Sequence, residues 1–249
     1  MDKVKSILIP LILISYIFGC TALTKEQKII DRAIEAHGGE AYTRAQISFD
    51  FRNIHYRILK TSSRFEYSRE FTDSLGVEVK DVLNNNGFIR SHNGSEVAVT
   101  DERKQAYTNS INAVAYFALL PYGLNDAAVN KTFFGETELE GKLYNIIKVT
   151  FSEDGGGEDF EDEFLYWINK ENGLMDYMAY SYHTDGGGVR FRKAINARVI
   201  NGIRIQDYEN YMAEDRTAPL ESMELMYKKD QLKLLSKILM ENIQVEYLE

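Results

Sequence analysis

Residues 165–182 read LYWINKENGLMDYMAYSY, and this stretch decides the fold class. Two short runs rich in aromatic and apolar residues flank the segment NKENG (169–173), which has the composition of a turn. Two strands joined by so short a turn pair as an antiparallel hairpin. Because a two-residue period recurs along most of the chain, the sequence predicts a long meander of antiparallel strands.

Strand-like runs occupy most of the chain after Ile47. Asparagine–glycine turns separate several of them, as is typical of hairpins. The predicted runs cover 47–59, 63–71, 77–83, 87–92, 96–100, 131–139, 142–151, 162–169, 174–183, 189–200 and 203–212.

Helical patterns are few. Thr24 and Gln27 have the spacing of a helix N-terminal cap, and the apolar period of 3–4 residues that follows ends at Gly38. His37 lies on that apolar stripe, so we expect a packed histidine. Further helices are predicted near 106–120 and 220–227, before a last apolar stretch at 232–248.

The pattern as a whole predicts a mainly β protein with about 11–12 strands. Large antiparallel sheets twist and curl, so we expect a long, strongly curved antiparallel sheet.

The first nineteen residues resemble a bacterial lipoprotein signal peptide. Two lysines precede a 14-residue apolar run that ends at Gly19, and a membrane-spanning helix needs roughly 20 apolar residues. Residues 17–20, IFGC, resemble a lipobox. The sequence therefore predicts cleavage before Cys20, acylation of Cys20 and one β-rich domain over 20–249. The predicted location is the bacterial cell envelope, lipid-anchored on the periplasmic side of the outer membrane.

Composition and motifs exclude several classes of function. The net charge of −9 argues against nucleic acid as a partner, and the single cysteine excludes an internal disulfide. The chain lacks the G-x-S-x-G, P-loop, H-E-x-x-H and C-x-x-C motifs. Its acidic glycine-rich loop also lacks the register of a calcium-binding EF-hand. We therefore predict no metal ion and no cofactor, and non-enzymatic functions are favoured over enzymatic ones.

Several phrases of the sequence resemble known families. KIIDRAIEAHGG (28–39), together with the hairpin quoted above, is similar to the LolA/LolB type of lipoprotein carrier. That resemblance implies an incomplete antiparallel β-barrel that wraps around a few helices and leaves an apolar cavity. The chain more closely resembles a family of uncharacterised bacterial lipoproteins over nearly its whole length after Cys20. The phrases that carry this second resemblance are YFALLPYGLNDAAV (116–129), VTFSEDGGGEDFEDEF (149–164) and SYHTDGGGVRFR (181–192).

An Asp-Gly-Gly-Gly sequence occurs twice, at 154–157 and at 185–188. Two antiparallel strands separate the two copies, so both copies should lie at the same end of the sheet. Their distance apart would be two strand spacings, roughly 10 Å. Loop ends of barrels often carry binding residues, so this rim is the candidate site.

Three neighbouring strands supply the candidate side chains. Strand alternation places Phe160, Asp162, Phe164 and Tyr166 on one face, and it does the same for the tyrosines and the arginines of the next two strands. The arginines are expected to neutralise the carboxylate of Asp162, or to bind an anionic head group in a bidentate manner. The predicted ligand-binding residues are Tyr166, Tyr180, Tyr182, Asp185, Arg190 and Arg192; weaker catalytic candidates are Asp162, His183 and Arg190.

Three functions remain open from the sequence. The leading hypothesis is a membrane-anchored protein that binds a lipid or another hydrophobic ligand in the cavity. The second is an envelope enzyme acting on a small polar or sugar-like substrate at the two glycine loops. The third is a structural or assembly lipoprotein without a ligand. A simpler interpretation of the glycines, which the sequence favours, is that they only close hairpins.

Overall fold

The computed structural model describes residues 23–154 and 160–248. The predicted signal peptide, Cys20 and the first triple glycine lie outside the described residues. The helices are α1 (Lys25–His37), α2 (Asp101–Ala118) and α3 (Met223–Lys228). The strands are β1 (Ala45–Phe51), β2 (Ile54–Lys60), β3 (Phe65–Thr72), β4 (Glu78–Asn84), β5 (Gly87–His92), β6 (Ser95–Glu96), β7 (Val129–Leu139), β8 (Lys142–Phe151), β9 (Glu163–Asn169), β10 (Met175–Tyr182), β11 (Gly188–Ile200), β12 (Ile203–Met212), β13 (Lys233–Ile238) and β14 (Glu241–Tyr247).

The strands form two seven-stranded antiparallel sheets. Sheet A has the order β14-β1-β2-β3-β4-β5-β6, and sheet B has the order β13-β12-β11-β10-β9-β8-β7. Consecutive strands pair within each sheet, the chain changes sheets between β6 and β7 and between β13 and β14, and β14 returns to pair with β1. The prediction of a mainly β, open antiparallel fold around a few helices is therefore confirmed.

The described part of the chain has fourteen strands, whereas the sequence predicted 11–12. The run 47–59 is a hairpin, because Arg52 and Asn53 both adopt positive φ angles of 52° and 63° and turn the chain in two residues. The last apolar stretch likewise divides into β13 and β14. Of the predicted run 96–100, only Glu96 belongs to a strand. The Thr100 hydroxyl instead accepts a hydrogen bond from the backbone N–H of Arg103 and caps the start of α2.

Sheet B is covered on both faces, which explains the nearly continuous apolar sequence of β9. Phe164, Tyr166 and Ile168 face inward towards α1, where Ile30 and Ala33 are fully buried. Leu165 and Trp167 face the opposite side, where the segment 213–232 and its helix α3 cover them. Strands buried on both faces do not show polar alternation.

The N-terminal helix ends as the sequence predicted. Thr24 caps α1 by accepting a hydrogen bond from Gln27, and Gly38, with φ 138°, ends the helix. His37 is 1% exposed, and its Nδ1 donates to the carbonyl of Ala33 at 2.8 Å. His37 is thus a packed histidine within the core.

The three hydrophobic clusters of the described residues lie between Ile29 and Val245. A chain of residues 21–249 therefore contains the whole described core. Among the described residues, the helices are too short or too polar for any of them to cross a membrane.

Candidate functional site

A cavity of about 810 Å³ lies between the two sheets and α2. Ligand-binding pockets commonly measure about 300–1,000 Å³ and are mostly apolar, so this volume suits a ligand of moderate size. Sheet A contributes Phe49, Phe65 and Tyr67 to its wall, sheet B contributes Phe164, Tyr180 and Arg192, and α2 contributes Ala113, Tyr116 and Phe117.

Aromatic rings make up the wall on the side of sheet B. Phe164 stacks on Tyr180 with ring centroids 5.5 Å apart, and Phe151 meets Phe164 edge-on at 5.7 Å. Tyr116 and Phe117 extend this group from the C-terminal end of α2, at 5.4 Å from Phe164 and 5.5 Å from Tyr180. Such rings combine large apolar area with defined packing geometry.

The hydroxyls of Tyr116 and Tyr166 share a hydrogen bond beneath this wall. Burial raises the pKa of both phenols, because a charged phenolate would lose its solvation there. Both hydroxyls therefore stay neutral at physiological pH, and the two phenols add no negative charge to the site.

Arg192 is the most buried charged residue in the cavity wall, at 7% exposed. Its guanidinium lies 4.1 Å from the ring centroid of Phe117 and 4.9 Å from that of Tyr180. One Nη donates to the Tyr180 hydroxyl at 2.7 Å, whereas the buried Nε has no hydrogen-bond partner among the described residues. Asn210, its direct cross-strand neighbour on β12, has a buried Oδ1 that also has no hydrogen-bond partner among the described residues.

Arg190 lies two residues nearer the strand end and makes a parallel set of contacts. One Nη donates to the Tyr182 hydroxyl at 2.6 Å and the other to the carbonyl of Val189 at 2.9 Å. Gly188 allows this arrangement, since a Cβ there would lie 2.9 Å from the Tyr182 hydroxyl and 3.2 Å from Arg190. The second triple glycine thus closes a hairpin, with φ angles of 80°, 69° and 151°, and also leaves room for two wall residues.

The residues that directly precede β9 and those that follow β10 lie at one end of sheet B, whereas the first triple glycine lies outside the described residues. Ser181 of β10 pairs with Glu163 of β9, so the residues before β9 and after β10 share that end. His183 Nδ1 lies 3.4 Å from Asp162 Oδ1 and joins the two connections. The His183 side chain is 64% exposed and that of Asp162 only 13%.

The structure shows which groups the two arginines contact. The Arg190 and Arg192 guanidinium groups each donate to a tyrosine hydroxyl, and Arg190 donates in addition to the carbonyl of Val189. The expectation that they neutralise the carboxylate of Asp162, or bind an anionic head group, stays a prediction. Strand alternation gave the faces correctly, but each arginine reaches diagonally to a tyrosine on β10.

The other candidates take different positions. Tyr180, Tyr182, Arg190 and Arg192 line the cavity, together with Asp162. Tyr166 is completely buried behind the wall and bonds Tyr116. Asp185 lies in the single helical turn Thr184–Gly186, and its ligand-binding role stays a prediction.

Sequence reasoning missed the wall formed by α2 and sheet A. The phrase YFALL (116–120) carried a usable signal, because its two aromatics pack against the cluster of sheet B while Ala118 and Leu119 pack in the cluster that includes sheet A. Asn210 gave no signal in the sequence, since an isolated asparagine in a strand is common. In the described residues, no cluster of three or more His, Cys, Asp or Glu side chains is arranged to bind a metal ion.

Comparison with known proteins shows the family. The model of a family of unknown function, DUF6503, matches residues 5–242. No curated protein matches the chain.

Several solved structures are similar to this one. A LolA superfamily protein from Nitrosomonas europaea is 9% identical, with a TM-score of 0.48, over 91% of this chain and 96% of its own. A putative outer membrane lipoprotein-sorting protein domain from Vibrio parahaemolyticus is 6% identical, with a TM-score of 0.38, over 88% and 91%. The Mycobacterium tuberculosis lipoprotein LppX is 11% identical, with a TM-score of 0.28, over 64% and 88%. The LolA-type resemblance seen in the sequence thus recurs among the matched structures.

Proposed function

We propose that this chain, which belongs to the DUF6503 family of unknown function, is an envelope lipoprotein that binds a hydrophobic ligand between its two sheets. The observation that carries the proposal is the cavity of about 810 Å³ with its continuous aromatic wall. Transfer of apolar ligand surface from water into such a cavity is favourable by about 25 cal/mol per Å². A single acyl chain therefore gains substantial affinity without any specific polar contact.

A membrane anchor would fit this function. Acylation of Cys20 would hold the protein at the surface from which a lipid is taken or to which it is delivered, since more than one acyl chain gives stable anchoring. Cys20 lies three positions before Leu23, the first described residue. The anchor, the outer membrane and its periplasmic side remain part of the proposal.

Native mass spectrometry tests the binding proposal directly. Residues 21–249 would be purified from cells without detergent and sprayed under native conditions. The expected result is an added mass that disappears on denaturation and is identified as a lipid. A bare mass, together with no uptake of added lipid, would refute the proposal.

Two tryptophan variants of α2 provide a matched comparison. Ala113 is exposed and lines the cavity, so Ala113→Trp should fill the space and reduce the bound lipid at least several-fold. Ala106 is exposed on the same helix but is not part of the wall, so Ala106→Trp should retain the lipid. Equal retention by both variants would place the lipid outside the cavity.

A second function rests on one observation, the 3.4 Å contact between Asp162 and His183 at the cavity rim. An envelope enzyme would use this pair on a small polar substrate, with Arg190 beside it. If so, Asp162→Asn would abolish turnover of a sugar or ester panel while lipid retention stayed unchanged. Absence of turnover by the wild-type protein over that panel would remove this alternative.

A further inference from the structure

Arg192 carries a charge that the described residues of the cavity do not neutralise. It is nine-tenths buried in the wall, and the arginine ion pairs among the described residues are made by Arg57, Arg69, Arg90 and Arg198, not by Arg192. Arg69 and Arg90, which are also largely buried, share the carboxylate of Asp81 instead. The fold thus pairs Arg69 and Arg90 with a carboxylate, whereas Arg192 has aromatic rings and a hydroxyl as its neighbours.

A buried cation with an unused donor is costly unless an anion reaches it. The ring faces of Phe117 and Tyr180 hold the guanidinium in place, and the Tyr180 hydroxyl takes one of its Nη groups. Its Nε remains free of hydrogen bonds among the described residues. A guanidinium fixed in this way is preorganised for a carboxylate or phosphate oxygen, because its planar fork matches those groups.

The charges around the cavity point in the same direction. Its wall contains the cations Arg52, Lys60, Arg190 and Arg192 and the carboxylates Asp126 and Asp162. Lys60 pairs with Asp126, and Asp162 contacts His183, so the excess positive charge lies largely with the arginines. Positive charge collected inside a protein of net charge −9 is a specific feature of this cavity.

We propose that the ligand is an anionic amphiphile whose carboxylate or phosphate head binds Arg192 while its apolar chain lies against the aromatic wall. This inference rests on the proposed function, because it assigns the head group of the same hydrophobic ligand. Arg190, two residues along β11, stands on the path of the head group towards the rim. The Oδ1 of Asn210 accepts a hydrogen bond from any hydroxyl that the head carries.

Isothermal titration calorimetry with matched ligands tests the inference on residues 21–249. The probes are dodecanoate, dodecyl phosphate and dodecan-1-ol, which share one chain length, and sodium phosphate without a chain. A charged hydrogen bond in a buried site changes affinity by roughly 10- to 100-fold. The two anions should therefore bind about that much more tightly than the alcohol, and sodium phosphate alone should show no measurable binding.

The variants separate charge from packing. Arg192→Met keeps an unbranched apolar stem of similar reach and should bring the affinity for both anions down to that for the alcohol. Arg192→Lys keeps the charge and should recover part of the preference. Lys193→Met removes a cation from the adjacent position on β11, whose side chain bonds Glu140, and should leave all affinities unchanged.

The outcomes distinguish the two proposals. Equal binding of the anions and the alcohol by the wild-type protein would overturn the head-group assignment and leave the hydrophobic cavity intact. No binding of any dodecyl probe would overturn the proposed function itself. Tight binding of sodium phosphate alone would show a free-anion site and contradict an amphiphile. The wild-type comparison remains decisive if Arg192→Met fails to fold.

Discussion

Replacing Asp81 by asparagine should destabilise the protein by about 3–5 kcal/mol, because Asp81 is the single anion between two buried arginines. Its carboxylate is fully buried and accepts from Arg69 Nε at 2.7 Å and from Arg90 Nε and Nη2 at 2.6 and 2.7 Å. Both arginines are its direct cross-strand partners in sheet A. Asparagine keeps the shape but leaves two buried cations without an anion.

The consequence reaches the cavity through α2. Arg69 also donates to the Ser110 hydroxyl at 2.8 Å, and Arg90 lies 3.6 Å from the ring centroid of Tyr107. These contacts attach α2 to sheet A, and α2 forms one wall of the cavity. We therefore expect Asp81→Asn to reduce lipid retention as well as stability.

Urea denaturation followed by circular dichroism measures the effect. A loss of about 3–5 kcal/mol is large against the roughly 5–15 kcal/mol of a typical protein, so the midpoint should fall markedly. Glu66→Gln is the matched control, since Glu66 is exposed on the neighbouring strand and its replacement should cost less than about 0.5 kcal/mol.

A triple variant tests the physical reason. Replacing a buried ion cluster by apolar residues of similar volume is often close to neutral, so Asp81→Leu with Arg69→Met and Arg90→Met should recover most of the stability. A loss from Asp81→Asn no larger than that of Glu66→Gln would refute the argument. So would a triple variant as unstable as the single one.

Two further predictions concern acid stability and the second glycine loop. Burial lowers the pKa of His37 from 6.5 to about 4, so its stabilising contribution is complete above pH 6.5 and is lost as the pH falls towards 4. The free energy of unfolding should fall by about 1.4 kcal/mol per pH unit in this range because of His37. Urea denaturation of His37→Gln between pH 7 and 4 should show a correspondingly weaker pH dependence, and the same pH dependence as the wild type would contradict the assignment. Gly188→Ala should cost roughly 1–3 kcal/mol more than Gly94→Ala by thermal denaturation, because only at position 188 does a Cβ meet Tyr182 and Arg190. Equal losses would show that backbone strain alone acts.

Strand alternation and short turns carried most of the correct predictions about the site. Asp162 and Phe164 line the same cavity because side chains two apart share a face. The hairpin at 169–173 placed the start of β9 and the end of β10 together, where Ser181 pairs with Glu163 after a one-residue register shift between Met175 and Tyr177. These features depend on local covalent geometry, so a single sequence contains them.

The contacts of the charged side chains were beyond sequence reasoning. A long arginine reaches several neighbours from one strand position, and packing decides between them. Here the guanidinium of Arg192 packs against the aromatic rings of Phe117 and Tyr180, although Asp162 lines the same cavity. The buried ion cluster around Asp81 was equally hidden, since its three members come from three strands.

The sequence by itself determined the mainly β class, the capped first helix and the antiparallel pairing of β9 with β10. Only the tertiary structure decided that the strands divide into two sheets, that β14 returns to β1, and that α2 lies between the sheets beside a cavity. The physical reason is the separation along the chain between the residues that interact. Alternation and turn chemistry act over a few residues, whereas sheet division and cavity volume depend on packing between residues far apart in the chain.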